Sequence, residues 1–127
     1  MMRDFKSRSL IHRKGQPADH VAVMCEGYAI EYSQLASGRR QILTLLGPGD
    51  TIHWPTEAAA GRSVLAVTNA RVAHVSMERI AALAARDAGV FSRIVRALEA
   101  RRAELCELAA DIGRRTAHER ICRFLLK

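Results

Sequence analysis

Aromatic side chains are nearly missing from this sequence, which holds three Phe, two Tyr and one Trp in 127 residues. Its core must therefore be filled by Val, Ile, Leu and Ala, within a hydrophobic share of 49%, and one domain of this length buries enough surface to fold without staples. Long apolar runs are also lacking: none approaches the ~20 residues of a membrane-crossing helix. The N-terminal MMRDFKSRSL has no apolar signal-peptide core. Cys25, Cys106 and Cys122 are odd in number and far apart, which excludes a disulfide framework and a paired-cysteine metal signature. No membrane partner and a reducing, cytoplasmic location are the expectations. Acidic residues are the minority, 13 against 20 Lys and Arg, for a net charge of +7. The arginines are spread, with doublets at 39–40, 101–102 and 114–115 and no single basic tract. Charge alone therefore permits nucleic acid or a small anion without selecting either.

What the chain does have is a change of period. Up to about residue 76, short alternating segments are separated by Gly, Pro, Asn and Asp. Strands are expected at 9–12, at His20 to Cys25, at Tyr28 to Tyr32, at Arg39 to Leu46, at Ser63 to Thr68 and at Arg71 to Val75. That spacing indicates a sandwich, roll or barrel. The stretch TIHWPTEAAAG at 51–61 breaks the pattern and suits a loop with a short helical turn at a pocket rim.

From Ser76 the period is helical. Ser76 is placed to cap a helix over roughly 77–86, and Asp87 to cap a longer one over about 88–112. In the second helix Phe91, Leu98, Leu105 and Ile112 occupy the a positions of a heptad, with Ile94, Arg101 and Leu108 at d. About 25 residues at 1.5 Å each make a rod of roughly 37 Å. A stripe this narrow fits a partner helix better than the broader face of ordinary globular packing, so homodimerisation is expected. Arg101 in that seam must set register or reach an anion or a carboxylate, with Glu104 and Glu107 as the local candidates.

Gly113 suits a left-handed position ending the rod, with Arg114 and Arg115 beside the negative end of its dipole. Thr116 to Glu119 then reads as a capping box opening another helix, whose Ile121, Phe124 and Leu125 share one side. The chain thus divides into a β part over 1–76, a helical segment over 77–112, and a junction with the start of a new helix over 113–127.

The residues Gly27, Gly38-Arg39-Arg40-Gln41-Ile42, Leu46, Pro48-Gly49-Asp50, Arg62-Ser63, Ala66, Thr68 and Gly113-Arg114-Arg115-Thr116-Ala117 with Glu119-Arg120-Ile121 stand in a telling order. In that order they resemble the N-terminal effector domain and dimerisation helix of Crp/Fnr-type bacterial transcription regulators, most of all the Fnr/FixK-like branch. The resemblance covers about residues 9 to 127. It implies a mainly β fold, a double-stranded β-helix of the jelly-roll, cyclic-nucleotide-binding type, followed by a long dimerisation helix. It also implies that DNA is read only by a C-terminal helix-turn-helix domain, which these residues do not include.

Cyclic-nucleotide binders of that family hold the phosphate with an Arg-Ser or Arg-Thr pair and the ribose with a Gly-Glu pair. Arg62-Ser63 matches the first and suits a small anionic effector. Where Gly-Glu belongs stands His53-Trp54, with Glu57 as a substitute only if the loop is rebuilt. The purine-contacting pair falls at Leu105-Cys106. Conventional cyclic AMP binding is therefore disfavoured. An iron-sulfur cluster lacks its N-terminal cysteines, and haem finds only single conceivable ligands in Cys25, His53 and His74, so neither cofactor is supported. No flanking feature singles out Cys106 or Cys122 for redox work. Cupin enzymes use a similar β-roll and remain the alternative, as does a stand-alone small-molecule-binding roll. The close His-x-His pair that cupins need is missing, and no catalytic or metal-ligating set is legible.

Overall fold

The computed structural model describes residues 1–56, 61–114 and 117–126, and the side chains of 112–114, 117, 118 and 120 lie outside that description. Glu57, Arg115 and Thr116, named above as candidates, are therefore outside the described residues. The described chain forms two compact units, Met1–Ala82 and Leu83–Lys127.

The first unit holds eight strands: β1 (Met2–Phe5), β2 (Leu10–His12), β3 (His20–Glu26), β4 (Ala29–Gln34), β5 (Arg40–Leu46), β6 (Thr51–His53), β7 (Ser63–Ala66) and β8 (Ala70–Ser76). They pair antiparallel in two four-stranded sheets, ordered β1-β8-β3-β6 and β2-β7-β4-β5. This is the expected jelly-roll. Because alternate residues point to opposite faces, each strand sends one set inward. Ala22, Ala29, Leu46, Ile52, Ala66 and Val72 are completely buried, joined by Met24 and Val64. The core is built of small and branched side chains, as the shortage of aromatics demanded.

Two strands escaped the sequence pattern. β1 pairs with β8, Met2 to Ala73 through Phe5 to Ala70, and its edge is held by an Arg71–Asp4 ion pair at 2.9 Å. β6 lies in the stretch read as a loop, and its Thr51 and His53 pair with Val23 and Ala22 of β3. The turns were legible. Gly27 has φ +87, and a Cβ there would stand 2.2 Å from the Asn69 carbonyl oxygen, so only glycine fits. In the Gly47-Pro48-Gly49-Asp50 turn, the Gly47 amide donates to Asp50 Oδ2 at 2.8 Å, and the Gly49 amide donates to the Met24 carbonyl at 2.8 Å.

Helix α1 (Met77–Arg86) starts where the Ser76 hydroxyl accepts from the Arg79 amide at 3.3 Å. In the second unit, α2 (Ala88–Arg114) begins with Asp87 Oδ1 accepting from the Gly89 amide at 2.8 Å, the cap its sequence called for. α2 runs on through Gly113, so the left-handed glycine expected there is a helical residue instead. Glycine inside a helix costs about 1 kcal/mol relative to alanine, which continued propagation of the helix offsets. α3 (Ala117–Leu125) follows, with Glu119 in its first turn near the positive end of its dipole.

Candidate functional site

The interior of the roll is polar along one transverse line. Cross-strand partners share a face, so His12 of β2, Val64 of β7, Glu31 of β4 and Thr44 of β5 form a row on the inner side of one sheet. On the other sheet His74 of β8, Ala22 of β3 and His53 of β6 form a second row. The His12 and His53 rings meet, their centroids 4.6 Å apart at 49°. His12, Glu31, Thr44, His53 and Ser63 are all buried.

Arg62, at the start of β7, belongs to this line. Its Nε lies 3.1 Å from Glu31 Oε1, and its Nη2 donates to the Ile52 carbonyl at 3.4 Å. Burying a carboxylate is costly unless a cation compensates it, and Arg62 supplies that compensation. The Ser63 hydroxyl accepts from the Lys14 amide at 2.9 Å. The two residues expected to take an anionic effector are thus brought together, but both already have protein partners. Sequence reasoning missed Glu31 and His12. Glu31 sits among apolar neighbours in YAIEY, and only its pairing with Val64 shows that it points inward.

His53 also reaches this region, and Trp54 follows it in the chain. Burial is the main cause that pushes His53 down to about 4, reinforced by His12, His74 and Arg62 and opposed by a hydrogen bond to the His20 backbone. His74 is lowered too, first by burial and then by Arg3, His20 and the N-terminal amine. His53 is therefore neutral near pH 7. His53 Nδ1, Trp54 Nε1 and His74 Nδ1 are buried without a protein partner. Such atoms commonly serve a ligand or an ordered water. Among the described residues, no group of three or more His, Cys, Asp or Glu is placed to hold a metal ion. No described helix is long and apolar enough to cross a membrane.

On α2 the heptad splits into two lines. Phe91, Leu98 and Leu105 are exposed at 62%, 44% and 41%, and Val95, absent from the expected seam, joins them at 43%. Ile94, Arg101 and Leu108 are half-buried. Arg101 reaches Glu104 at 2.9 Å, one of its two expected partners. The other, Glu107, binds Arg123 of α3 at 2.6 Å, and Arg123 also lies 3.5 Å from buried Asp111. Ile112 is in α2, but its side chain lies outside the description.

Residues 2–87 match the family described as cyclic nucleotide-binding domain. No curated protein gives a sequence match. Among solved structures, FixK2 from Bradyrhizobium japonicum aligns with a TM-score of 0.83 at 24% identity, over 99% of this chain and 64% of that one. The catabolite activator protein of Thermus thermophilus aligns at 0.68 and 22% identity, over 88% of this chain and 54% of that one. A transcriptional regulator from Thermotoga maritima aligns at 0.76 and 14% identity, covering 88% of this chain and 90% of the other. This chain therefore spans only part of the length of FixK2 and of the catabolite activator protein. The fold is that of FixK2 and the catabolite activator protein, and the family model matches well over half of the sequence, so the chain belongs to the cyclic nucleotide-binding domain family.

Proposed function

We propose that this chain is the sensing and dimerising part of a Crp/Fnr-type transcription regulator. Two copies associate along α2, and a signal at the β-roll shifts that pairing. The shift passes through the junction at Gly113, Arg114, Arg115, Thr116 and Glu119 to a DNA-reading domain whose first helix is α3. The observation that carries this reading is the row Phe91, Val95, Leu98 and Leu105, left exposed along a helix of 27 residues. Burying a side chain of that kind stabilises by about 1.5–3 kcal/mol, and a second copy presents a matching row. The Arg123 contacts to Glu107 and Asp111 support a relay, because they tie α3 to the end of α2.

Conventional cyclic AMP binding is not part of the proposal. Arg62, the residue matching the family's phosphate ligand, already faces Glu31, and His53-Trp54 stands where the ribose-binding pair belongs. Native mass spectrometry of gently purified protein tests the whole reading. The expected result is a homodimer, without cyclic AMP, that becomes monomeric when Leu98 and Leu105 are both replaced by Glu. A monomeric wild type, or a double variant that still dimerises, would sink the dimerisation claim. Salt-resistant, sequence-specific DNA binding by these 127 residues would overturn the assignment of DNA reading to another domain.

A further inference from the structure

A concavity lies between β1 and β2, each the edge strand of a different sheet, so no ladder hydrogen bonds join them there. The cavity measures about 650 Å³, within the range of small-molecule sites. Phe5 and Ile11 line it on the apolar side, and Arg3, Arg13 and Lys14 supply three cations, with no Asp or Glu among the lining residues. The sequence explains that imbalance. Alternation along β1 puts Arg3 and Phe5 on one face and Asp4 on the other, where Arg71 holds the Asp4 carboxylate. Among the described residues, Arg3, Arg13 and Lys14 take part in no ion pair.

The cationic loop is fixed by its backbone, which leaves its side chains for other work. The Gln16 amide donates to the Arg13 carbonyl at 2.9 Å, and Gln16 Oε1 accepts from the Arg13 amide at 3.2 Å. Gly15 supplies the left-handed turn at φ +86, and the Lys14 amide is anchored to Ser63 Oγ. On the opposite wall the Arg3 guanidinium lies over the Phe5 ring, 5.2 Å from its centroid. Like charges that line one cavity without counter-ions repel, and an anion relieves that repulsion.

We propose that this cavity binds a small organic anion, its acidic group held by Arg3, Arg13 and Lys14 and a flat apolar body resting on Phe5 and Ile11. Concavity and an apolar wall favour a small molecule over a nucleic-acid backbone, which needs only an open basic surface. The site is separate from the Arg62–Glu31 pair and does not depend on the regulator reading.

Titration of the ¹⁵N-labelled chain with phenyl phosphate at low salt, followed by amide shifts and calorimetry, tests the proposal. One saturable site is expected, with shifts at the Gly15 and Gln16 amides. Inorganic phosphate should bind several-fold more weakly, because it lacks the apolar body. Replacing Arg3 and Lys14 together with Gln should weaken binding at least about tenfold, and so should about 0.5 M NaCl. Replacing Arg62 and Glu31 together with Gln, which leaves no buried charge unpaired, should leave the affinity within about twofold. Lys14→Gln keeps its backbone bond to Ser63, and Arg13→Gln provides an independent variant should the pair disturb the fold. Non-saturating shifts spread over the arginine surface would overturn the proposal. So would equal affinity for the two phosphates, or binding lost in the Arg62 and Glu31 double variant but kept in the Arg3 and Lys14 variant.

Discussion

In the β-roll, Ala22, Ala29, Leu46, Ile52, Ala66 and Val72 show no exposed surface, whereas on α2 Phe91, Val95, Leu98 and Leu105 keep 41–62% of theirs. The roll is short of large side chains and closes over small ones from two sheets. The helix carries larger side chains on a stripe that its own unit does not cover. One region satisfies its hydrophobic requirement within a single chain, and the other presents a requirement that a second copy can meet.

The largest effect should come from attacking the helix alone. Leu98→Glu with Leu105→Glu would remove four leucines from the proposed dimer seam, on the order of 8 kcal/mol of association, and sedimentation should show monomers. The dispersed amide signals of Val64 and Val72 should persist, showing that the roll stays folded in the monomer; their collapse would show that the double variant acts by unfolding and not at the seam.

Within the roll, Gly27→Ala should cost about 3 kcal/mol in urea unfolding, because it combines a positive φ with a clash against Asn69. Gly49 shares the positive φ at +90 but has open space around it, so Gly49→Ala should cost only about 1 kcal/mol. Equal losses would show that conformation alone, and not close packing of the roll, governs these turns.

Acid should also weaken the roll before it affects the helix seam. The His53 value is near 4 when folded and 6.5 unfolded, so between those limits the unfolded chain binds the additional proton. Stability is complete above pH 6.5 and falls as pH drops toward 4, by about 3 kcal/mol in all, with His74 acting in the same direction. Unfolding midpoints at stepped pH should flatten in His53→Asn. The smallest effect is expected at Arg123→Ala. Its exposed pair with Glu107 is worth less than about 1 kcal/mol and the loss of its longer 3.5 Å contact with Asp111 adds to that, so amide exchange in α3 should quicken.

The roll was legible because Gly, Pro, Asn and Asp punctuate it, and the caps at Ser76 and Asp87 were legible because short polar side chains precede helical periods. β1 was hidden because MRDF carries charges on both faces, and β6 because three residues establish no period. For α2, the spacing fixed which residues share a stripe but not which side of it stays open. That is why Val95 was missed and Ile94 and Leu108 were placed on equal terms with Leu98. Arg62 and Ser63 could be picked out as a pair. Glu31 could not, because strand register, which brings it to Arg62, is a property of the paired sheets.

The Glu31 carboxylate has a further consequence as a tethered competitor. Carried on β4 beside Arg62, it acts at a high effective concentration that no dilution reduces. A free anion arriving at Arg62 must outcompete a group already covalently present and also leave a buried carboxylate without its cation. An anion site at Arg62 would therefore carry a built-in threshold, and Glu31→Gln, by removing the competitor, should uncover whatever latent anion affinity Arg62 retains.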